Sequence, residues 1–238
     1  MQRSQILLQS YFNQASETYD QVADVQKSCA QILVGMLPDV TPESILDLGA
    51  GTGYVVQCLA PHFPQARYSL NDLAPNMLAK ASVNVKTRLI LGDMELLDFP
   101  PHDLIISNLA LQWVHDLPRL LPKLWGKSKV LAFSCLLEGS FASWRALFQN
   151  LALPIPTHDY PSREVMENLL RSLHPQVHIQ TQDFTLTFPN ARAVMRYLQQ
   201  LGAAQPRRQI ATPDLKKLLL THQSPIHLTY KVFFAVLA

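Results

Sequence analysis

Ile45-Leu46-Asp47-Leu48-Gly49-Ala50-Gly51-Thr52-Gly53-Tyr54 is the stretch on which the reading of this chain turns. Ile45, Leu46 and Leu48 make a short apolar run, with Pro42 before it and three glycines at alternate positions after it. That is the pattern of a parallel strand buried on both faces. Glycines at 49, 51 and 53 admit positive φ and let the backbone approach a ligand with no Cβ in the way, while the helix that starts at Tyr54 points free N–H groups at the bound molecule. A dinucleotide turn needs G-x-G-x-x-G, and Tyr54 stands where its last glycine would be. Some α/β domains use such turns for packing alone, so the later strands must decide its meaning.

Downstream, residues 54–63 read as a helix and residues 67–70 as a second strand closed by Asn71-Asp72. A carboxylate about twenty residues past the glycines can accept hydrogen bonds from both hydroxyls of a ribose. Residues 87–91 form a third strand ending in Gly92-Asp93-Met94-Glu95, where Asp93 can accept from an adenine amino group and Met94 can pack on the ring. A fourth strand, residues 103–107, delivers Asn108 to the edge where doubly wound sheets place their chemistry. His115-Asp116 caps a helix reaching about Trp125, and a fifth strand follows at residues 129–135. Four of the five strand ends therefore bring a polar residue or a turn to one sheet edge, which says more than any single motif.

On either side the pattern changes. Residues 6–37 have helical periodicity, broken near Tyr19-Asp20 and stopped by Pro38 and Pro42. Beyond Glu138, helical stretches at 141–151 and 162–173 flank the proline-rich loop 154–161. A strand at 178–188, a helix at 190–201 and a strand at 225–238 complete the chain. The expected architecture is α/β: a doubly wound, mostly parallel, seven-stranded sheet in a single domain over residues 1–238, with an N-terminal helical lid at 1–40 and a cap inserted at about 138–175.

With 238 residues, 48% of them hydrophobic, the chain can bury a full core. Cys29, Cys58 and Cys135 are odd in number and scattered, with no C-x-x-C and no histidine at ligand spacing, so structural thiols and no metal site are expected. No leader-like apolar segment and no run near the ~18 apolar residues of a membrane span is visible, which predicts a soluble, cytoplasmic protein. The net charge of +2 hides an asymmetry: 6 Lys/Arg against 12 Asp/Glu through Pro118, then 14 against 6 from Arg119 onward. A basic C-terminal half suits an acidic partner or substrate.

An acid followed by G-x-G-x-G resembles motif I of the class I S-adenosylmethionine (SAM) methyltransferases. Over essentially its full length the chain is similar to the malonyl-acyl-carrier-protein O-methyltransferases of biotin synthesis. The similarity runs through Phe12 to Tyr19-Asp20, Asp72-Leu73-Ala74-Pro75-Asn76-Met77-Leu78, Gly92-Asp93-Met94-Glu95, Ser107-Asn108-Leu109-Ala110-Leu111-Gln112-Trp113, Gly139-Ser140 and Leu228-Thr229-Tyr230. The S-N-L-A-x-Q-W run and the L-T-Y tail are its specific parts. Two departures stand out: Ala50 where the family usually has cysteine, and Gly139-Ser140-Phe141-Ala142-Ser143-Trp144 where it usually has Gly-Ser-Leu-x-Glu-Leu. The second alters the cap side, so the resemblance fixes the cofactor more firmly than the acyl substrate.

The resemblance implies SAM as cofactor, held by Asp47, Gly49, Ala50, Gly51, Asp72, Leu73, Asp93, Met94 and Asn108, with Tyr19, Gln112 and Trp113 at the reaction. It implies methyl transfer to the free carboxylate of malonyl on acyl carrier protein. A carboxylate is already ionised at pH 7, so no general base is required and alignment can supply the acceleration. Its charge needs a donor or cation, for which Arg145 and Arg196 are further candidates. The acidic carrier would meet basic residues such as Arg207, Arg208, Lys216 and Lys217; no membrane or nucleic-acid partner is expected, since Asn108 is not followed by the P-P-Y/F of amine methylation. Two alternatives share the cofactor site: a methyltransferase for a free small carboxylic acid, and a SAM-binding assembly factor without turnover.

Overall fold

The computed structural model describes residues 3–81, 83–155, 157–204 and 212–238. Its strands are β1 (Ser44–Leu48), β2 (Arg67–Asp72), β3 (Thr87–Leu91), β4 (His102–Asn108), β5 (Ser128–Leu136), β6 (Val177–Phe188) and β7 (Ile226–Leu237). They form the expected seven-stranded sheet in the order β3-β2-β1-β4-β5-β7-β6. The first five strands are parallel, and β7 runs antiparallel to both β5 and β6. The strand order reverses between β1 and β4, so the crevice at their carboxyl ends is the natural ligand site of this topology.

Alternation along the strands divides the core between the two faces of the sheet. Ile45, Leu104, Ile106 and Ala132 face one side, which is covered by α3 (Asp24–Gly35), α4 (Tyr54–Leu59), α7 (Ala142–Asn150) and α9 (Ala191–Gln200). Leu46, Leu48, Ile105, Leu131 and Phe133 face the other, under α6 (Leu117–Trp125) and α8 (Arg163–Leu173). Because both faces are covered, β1 and β4 carry consecutive apolar residues, Ile45-Leu46 and Leu104-Ile105-Ile106. Side-chain caps start three of the helices: Asp116 accepts the Arg119 amide, Ser162 that of Val165 and Asn190 that of Ala193.

Four further helices are α1 (Arg3–Ala15), α2 (Tyr19–Val22), α5 (Pro75–Lys80) and α10 (Thr212–Thr221), the last of them ahead of β7. The break anticipated near Tyr19-Asp20 is thus a four-residue helix between two longer ones. The helix after the glycine turn is shorter than its sequence suggests and ends at Leu59. The segment expected as a cap divides between the layers: Trp144 and Phe148 are buried on the α3 side, Met166 and Leu170 on the α6 side. The loop joining them brings Thr157, His158 and Tyr160 beside Leu109 and Leu136, at the ends of β4 and β5. Among the described residues no helix is long and apolar enough to cross a membrane, and no group of His, Cys, Asp or Glu could hold a metal ion.

Candidate functional site

The glycine turn has a different job at each position. Gly49, Gly51 and Gly53 all have positive φ, at 68°, 55° and 82°. A Cβ on Gly49 would stand 2.3 Å from the Ala110 Cβ, so that glycine is demanded by the close approach of the β4 loop. A Cβ on Gly51 would meet no atom within 4 Å. The backbone there faces open space, and that space is the cradle a ligand can fill.

Asp72 is bound to the rim of this cradle. Its Oδ2 accepts the Gly51 amide and its Oδ1 the Ala74 amide, each at 2.8 Å. Burial raises its pKa, while the amides of Ala74 and Gly51 oppose the rise. Asp47, one strand away, has neither carboxylate oxygen hydrogen-bonded among the described residues. Burial first, and then the charge of Asp72, push its pKa up to about 8. Asp72 thus lines the site with Asp47 buried close behind it, and no described cation pairs with either, an acceptor set suited to a cationic ligand that also carries hydroxyls.

A cleft of about 80 Å³ opens beside them, walled by Leu73, Met94 and Asn108 and roofed by Leu8, Phe12 and Tyr19 from the N-terminal helices. The roof is fastened by Gln9, whose Nε2 donates to Leu73 O at 2.8 Å, and by Asn13, whose Oδ1 accepts the Asn76 amide at 2.9 Å. Thr52 Oγ1 donates to Asp20 at 2.7 Å, joining the turn to α2. Asn108 spans the floor, its Nδ2 donating to Gln26 O at 3.0 Å and its Oδ1 accepting from Ser134 at 2.7 Å.

Not every expected residue reaches the cleft. Ala50 is buried behind it, donating its amide to Asn71 O at 2.9 Å. Asp93 caps its own turn by accepting the Glu95 amide at 2.9 Å and borders an outer groove with His115 and Arg119.

A second chamber, of about 50 Å³, adjoins the first. Phe12, Tyr19, Leu109 and Trp113 line both cavities. Beyond them the chamber wall is mainly apolar, with Leu136, Phe141, Leu198 and Leu201, and is punctuated by Gln26, Gln112, Thr157, His158, Tyr160 and Tyr230. Burial, then the negative charges of Asp72 and Asp20, hold the Tyr19 hydroxyl protonated, well above the usual phenol range. Gln112 donates its Nε2 to Leu109 O at 2.6 Å; its Oε1 and that of Gln26 are buried without a partner among the described residues. Trp113 stands edge-on between Phe12 and His158, with ring centroids at 5.6 and 5.1 Å.

The two arginine candidates lie elsewhere. Arg145 stands behind the chamber wall, its Nη1 donating to Thr157 Oγ1 at 2.6 Å and His158 O at 2.9 Å, and its Nη2 to Asp159 at 3.0 Å. Arg196 is exposed on α9, outside the chamber. Lys216 is exposed on α10; Arg207, Arg208 and the side chain of Lys217 lie outside the described residues. Sequence reasoning did not reach Gln26, Phe141, Thr157, His158 or Tyr160, and it reached Tyr230 only as part of a tail motif. The one available signal was a run of polar residues, Thr157 to Tyr160, inside a proline-rich loop.

Comparison with known proteins places the chain among methyltransferases. A methyltransferase-domain family model matches residues 45–126, from β1 to just past α6. A malonyl-[acyl-carrier protein] O-methyltransferase of Neorickettsia risticii is 36% identical over 234 residues, covering 95% of this chain and 94% of the relative. One of the same name from Halorhodospira halophila is 31% identical over 205 residues, covering 81% of this chain and 70% of the relative. Among solved structures, the YcgJ protein of Bacillus subtilis superposes with a TM-score of 0.61 at 16% identity, covering 88% of this chain and 97% of its own. A Haemonchus contortus phosphoethanolamine N-methyltransferase, solved with S-adenosylhomocysteine, gives 0.63 at 13% identity over 100% of this chain and 60% of its own.

Proposed function

The chain belongs to the family of malonyl-[acyl-carrier protein] O-methyltransferases, and from that premise we propose that it uses SAM to esterify the free carboxylate of malonyl carried on acyl carrier protein, in the cytoplasm, at the start of biotin's pimeloyl chain. It is a SAM-dependent methyltransferase. The observation that carries the reading is the pair of adjoining cavities that share Phe12, Tyr19, Leu109 and Trp113. One has the features of a cofactor site; the other is small, apolar and rimmed with donors.

In the cofactor cleft, Asp72 would accept the two ribose hydroxyls, Leu73 and Met94 would flank the base, and the Gly49 to Gly51 backbone would run along the amino-acid arm. Asp47, whose proton burial retains near pH 7, would ionise beneath it as the cation arrives. SAM brings a methyl on a sulfonium; transfer breaks the C–S bond, leaves the electron pair on sulfur and forms a C–O bond with a carboxylate oxygen.

The residues of the chamber then have three tasks. Tyr19, at the junction of the two cavities, donates its hydroxyl to the incoming carboxylate. Thr157 and His158 present a wall behind which Arg145 holds its charge, giving the carboxylate a reason to leave water. Phe12 and Trp113 exclude solvent from the junction, where alignment and desolvation do the work that a base does elsewhere. The ester product is neutral, so it loses that electrostatic hold and departs.

For the carrier we propose the outer face of α9. Arg192 and Arg196 lie one turn apart and are exposed, and the helix contains no acid. Its inner face supplies Leu198 to the chamber, so a carrier docked on it stands close to the reaction. Lys216 on α10 extends the same charge, and Arg207, Arg208 and Lys217 are further candidates.

The reading is tested by incubating the protein with methyl-labelled SAM and malonyl-acyl carrier protein. Label on the carrier that mild base releases as volatile methanol is expected of a methyl ester. Equal labelling of free malonate would point instead to a methyltransferase for small acids, and SAM binding without labelling to an assembly factor.

A further inference from the structure

The acceptor chamber is bounded by two residues whose backbones are left-handed without being glycine: Leu109 at φ 47° and Phe141 at φ 60°. Such conformations are strained, and they persist where the surroundings over-determine them. The surroundings do so here. Leu109 donates its amide to Ser134 O at 3.1 Å and Ser134 Oγ at 3.0 Å. Phe141 donates its amide to Thr229 O at 2.8 Å, and the preceding Ser140 Oγ accepts the Lys231 amide at 3.0 Å. Both walls are therefore fastened to the sheet.

The Phe141 ring is held as firmly as its backbone. It stands edge-on to Tyr230, with centroids at 4.6 Å and an interplanar angle of 84°, and it meets Tyr160 at 6.2 Å. Tyr230 is itself anchored, its hydroxyl bonded to that of Tyr197 at 2.8 Å. The ring cannot swing aside without breaking into buried packing. At about 10–15 Å³ for each water-sized group, a chamber of about 50 Å³ suits a small acyl end such as CH2–COO⁻.

We propose that Phe141 is a specificity-determining residue: its ring closes the chamber around an unsubstituted CH2–COO⁻ and excludes a branch on the carbon next to the carboxylate. This inference rests on the malonyl-thioester reading above. A methylmalonyl thioester carries one more methyl on that carbon, and the fixed ring leaves it no place while the carboxylate faces the Tyr19 junction. Rejecting a larger substrate by a rigid wall is far easier than rejecting a smaller one, because overpacking a held site forces strain that a vacancy does not.

The experiment compares methylation of malonyl- and methylmalonyl-acyl carrier protein by mass measurement, in the wild type and in Phe141→Ala and Phe141→Leu. The wild type is expected to favour malonyl by at least a hundredfold in kcat/KM. The variants are expected to narrow that ratio at least tenfold while SAM affinity, read by calorimetry, stays within about twofold. A wild type that methylates both thioesters with comparable efficiency overturns the proposal whether or not the variants fold. Activity on malonyl with an unchanged ratio in a SAM-binding variant also overturns it and leaves the functional reading standing. A wild type inactive on malonyl overturns both.

Discussion

Asp72 Oδ2 and the Gly51 amide are 2.8 Å apart, so the carboxylate that closes β2 also fixes the turn after β1. The two parts of the cofactor cradle are one hydrogen-bonded unit, complete before any ligand arrives. Replacing Asp72 by alanine removes the acceptor of two amides and is expected to cost about 1–3 kcal/mol of stability, with SAM affinity falling at least tenfold. Asp72→Asn keeps one acceptor oxygen and should retain more of the stability than of the affinity. Thermal melts paired with calorimetric titration separate the two effects; equal SAM affinity in Asp72→Ala and wild type would remove Asp72 from the cofactor site.

Asp47 gives the site a dependence on pH. Its pKa is about 8 in the folded protein, against about 3.9 in the unfolded chain. Between those values the unfolded chain has lost the proton that the folded one retains. The contribution of this group to stability is therefore intact below about pH 4 and is lost as pH rises through about 8. Asp72, also raised, adds to the same trend.

A sulfonium brought near Asp47 favours its ionised form. SAM binding below pH 8 is then expected to release a proton, and S-adenosylhomocysteine, lacking that charge, to release less. Calorimetry in buffers of different ionisation enthalpy reads the difference directly. Identical proton release for the two ligands, or release unaffected by Asp47→Asn, would contradict this account.

The legibility of each part from the chain alone depends on where it lies in sequence. The cofactor side was legible because a parallel sheet places consecutive strand ends side by side: Asp72 and Asn108 close their strands, Gly51 follows β1, and the three line one cleft. The adjacent strands required no knowledge of packing beyond topology. Asp93 and Ala50 show the limit, since a turn residue can satisfy its own backbone and a turn Cβ can point inward.

The acceptor chamber was hidden for the opposite reason. Gln26, Phe141, Tyr160 and Tyr230 come from a helix, a tight turn, a loop and an edge-ward strand, and each alone reads as ordinary core. The left-handed φ of Phe141 has no sequence signal, because an aromatic residue is disfavoured there. Arg145 had the right chemistry, but only its bonds to Thr157 and His158 reveal that it stands behind the wall.

Arg145 makes a separable prediction. Arg145 ties Thr157 and His158 into the chamber wall, and hydrogen bonds to a charged group are typically worth about 1.5–3 kcal/mol. Arg145→Ala is therefore expected to lower kcat/KM for the malonyl thioester on the order of tenfold or more with little change in SAM affinity. Steady-state kinetics beside SAM titration checks this, and an unaltered kcat/KM would place the substrate carboxylate elsewhere.

The basic face of α9 predicts a salt-sensitive encounter. Reversing Arg192 and Arg196 to glutamate should raise the KM for a carrier-bound substrate at low ionic strength, and the penalty should shrink as salt screens it within a Debye length of about 8–10 Å. The coenzyme A thioester, which has no carrier to dock, should be affected less. A KM for the carrier substrate unchanged at low salt would take the docking site off this helix.

The proposed acceptor is the free carboxylate of a carrier-bound malonyl group. Its most direct test is the intact mass of acyl carrier protein after incubation with SAM, with malonyl- and acetyl-loaded carrier in parallel. A gain of one methyl is expected on the malonyl carrier and none on the acetyl carrier, whose acyl group lacks the carboxylate. No gain on malonyl carrier from protein that binds SAM, or an equal gain on both carriers, would contradict it.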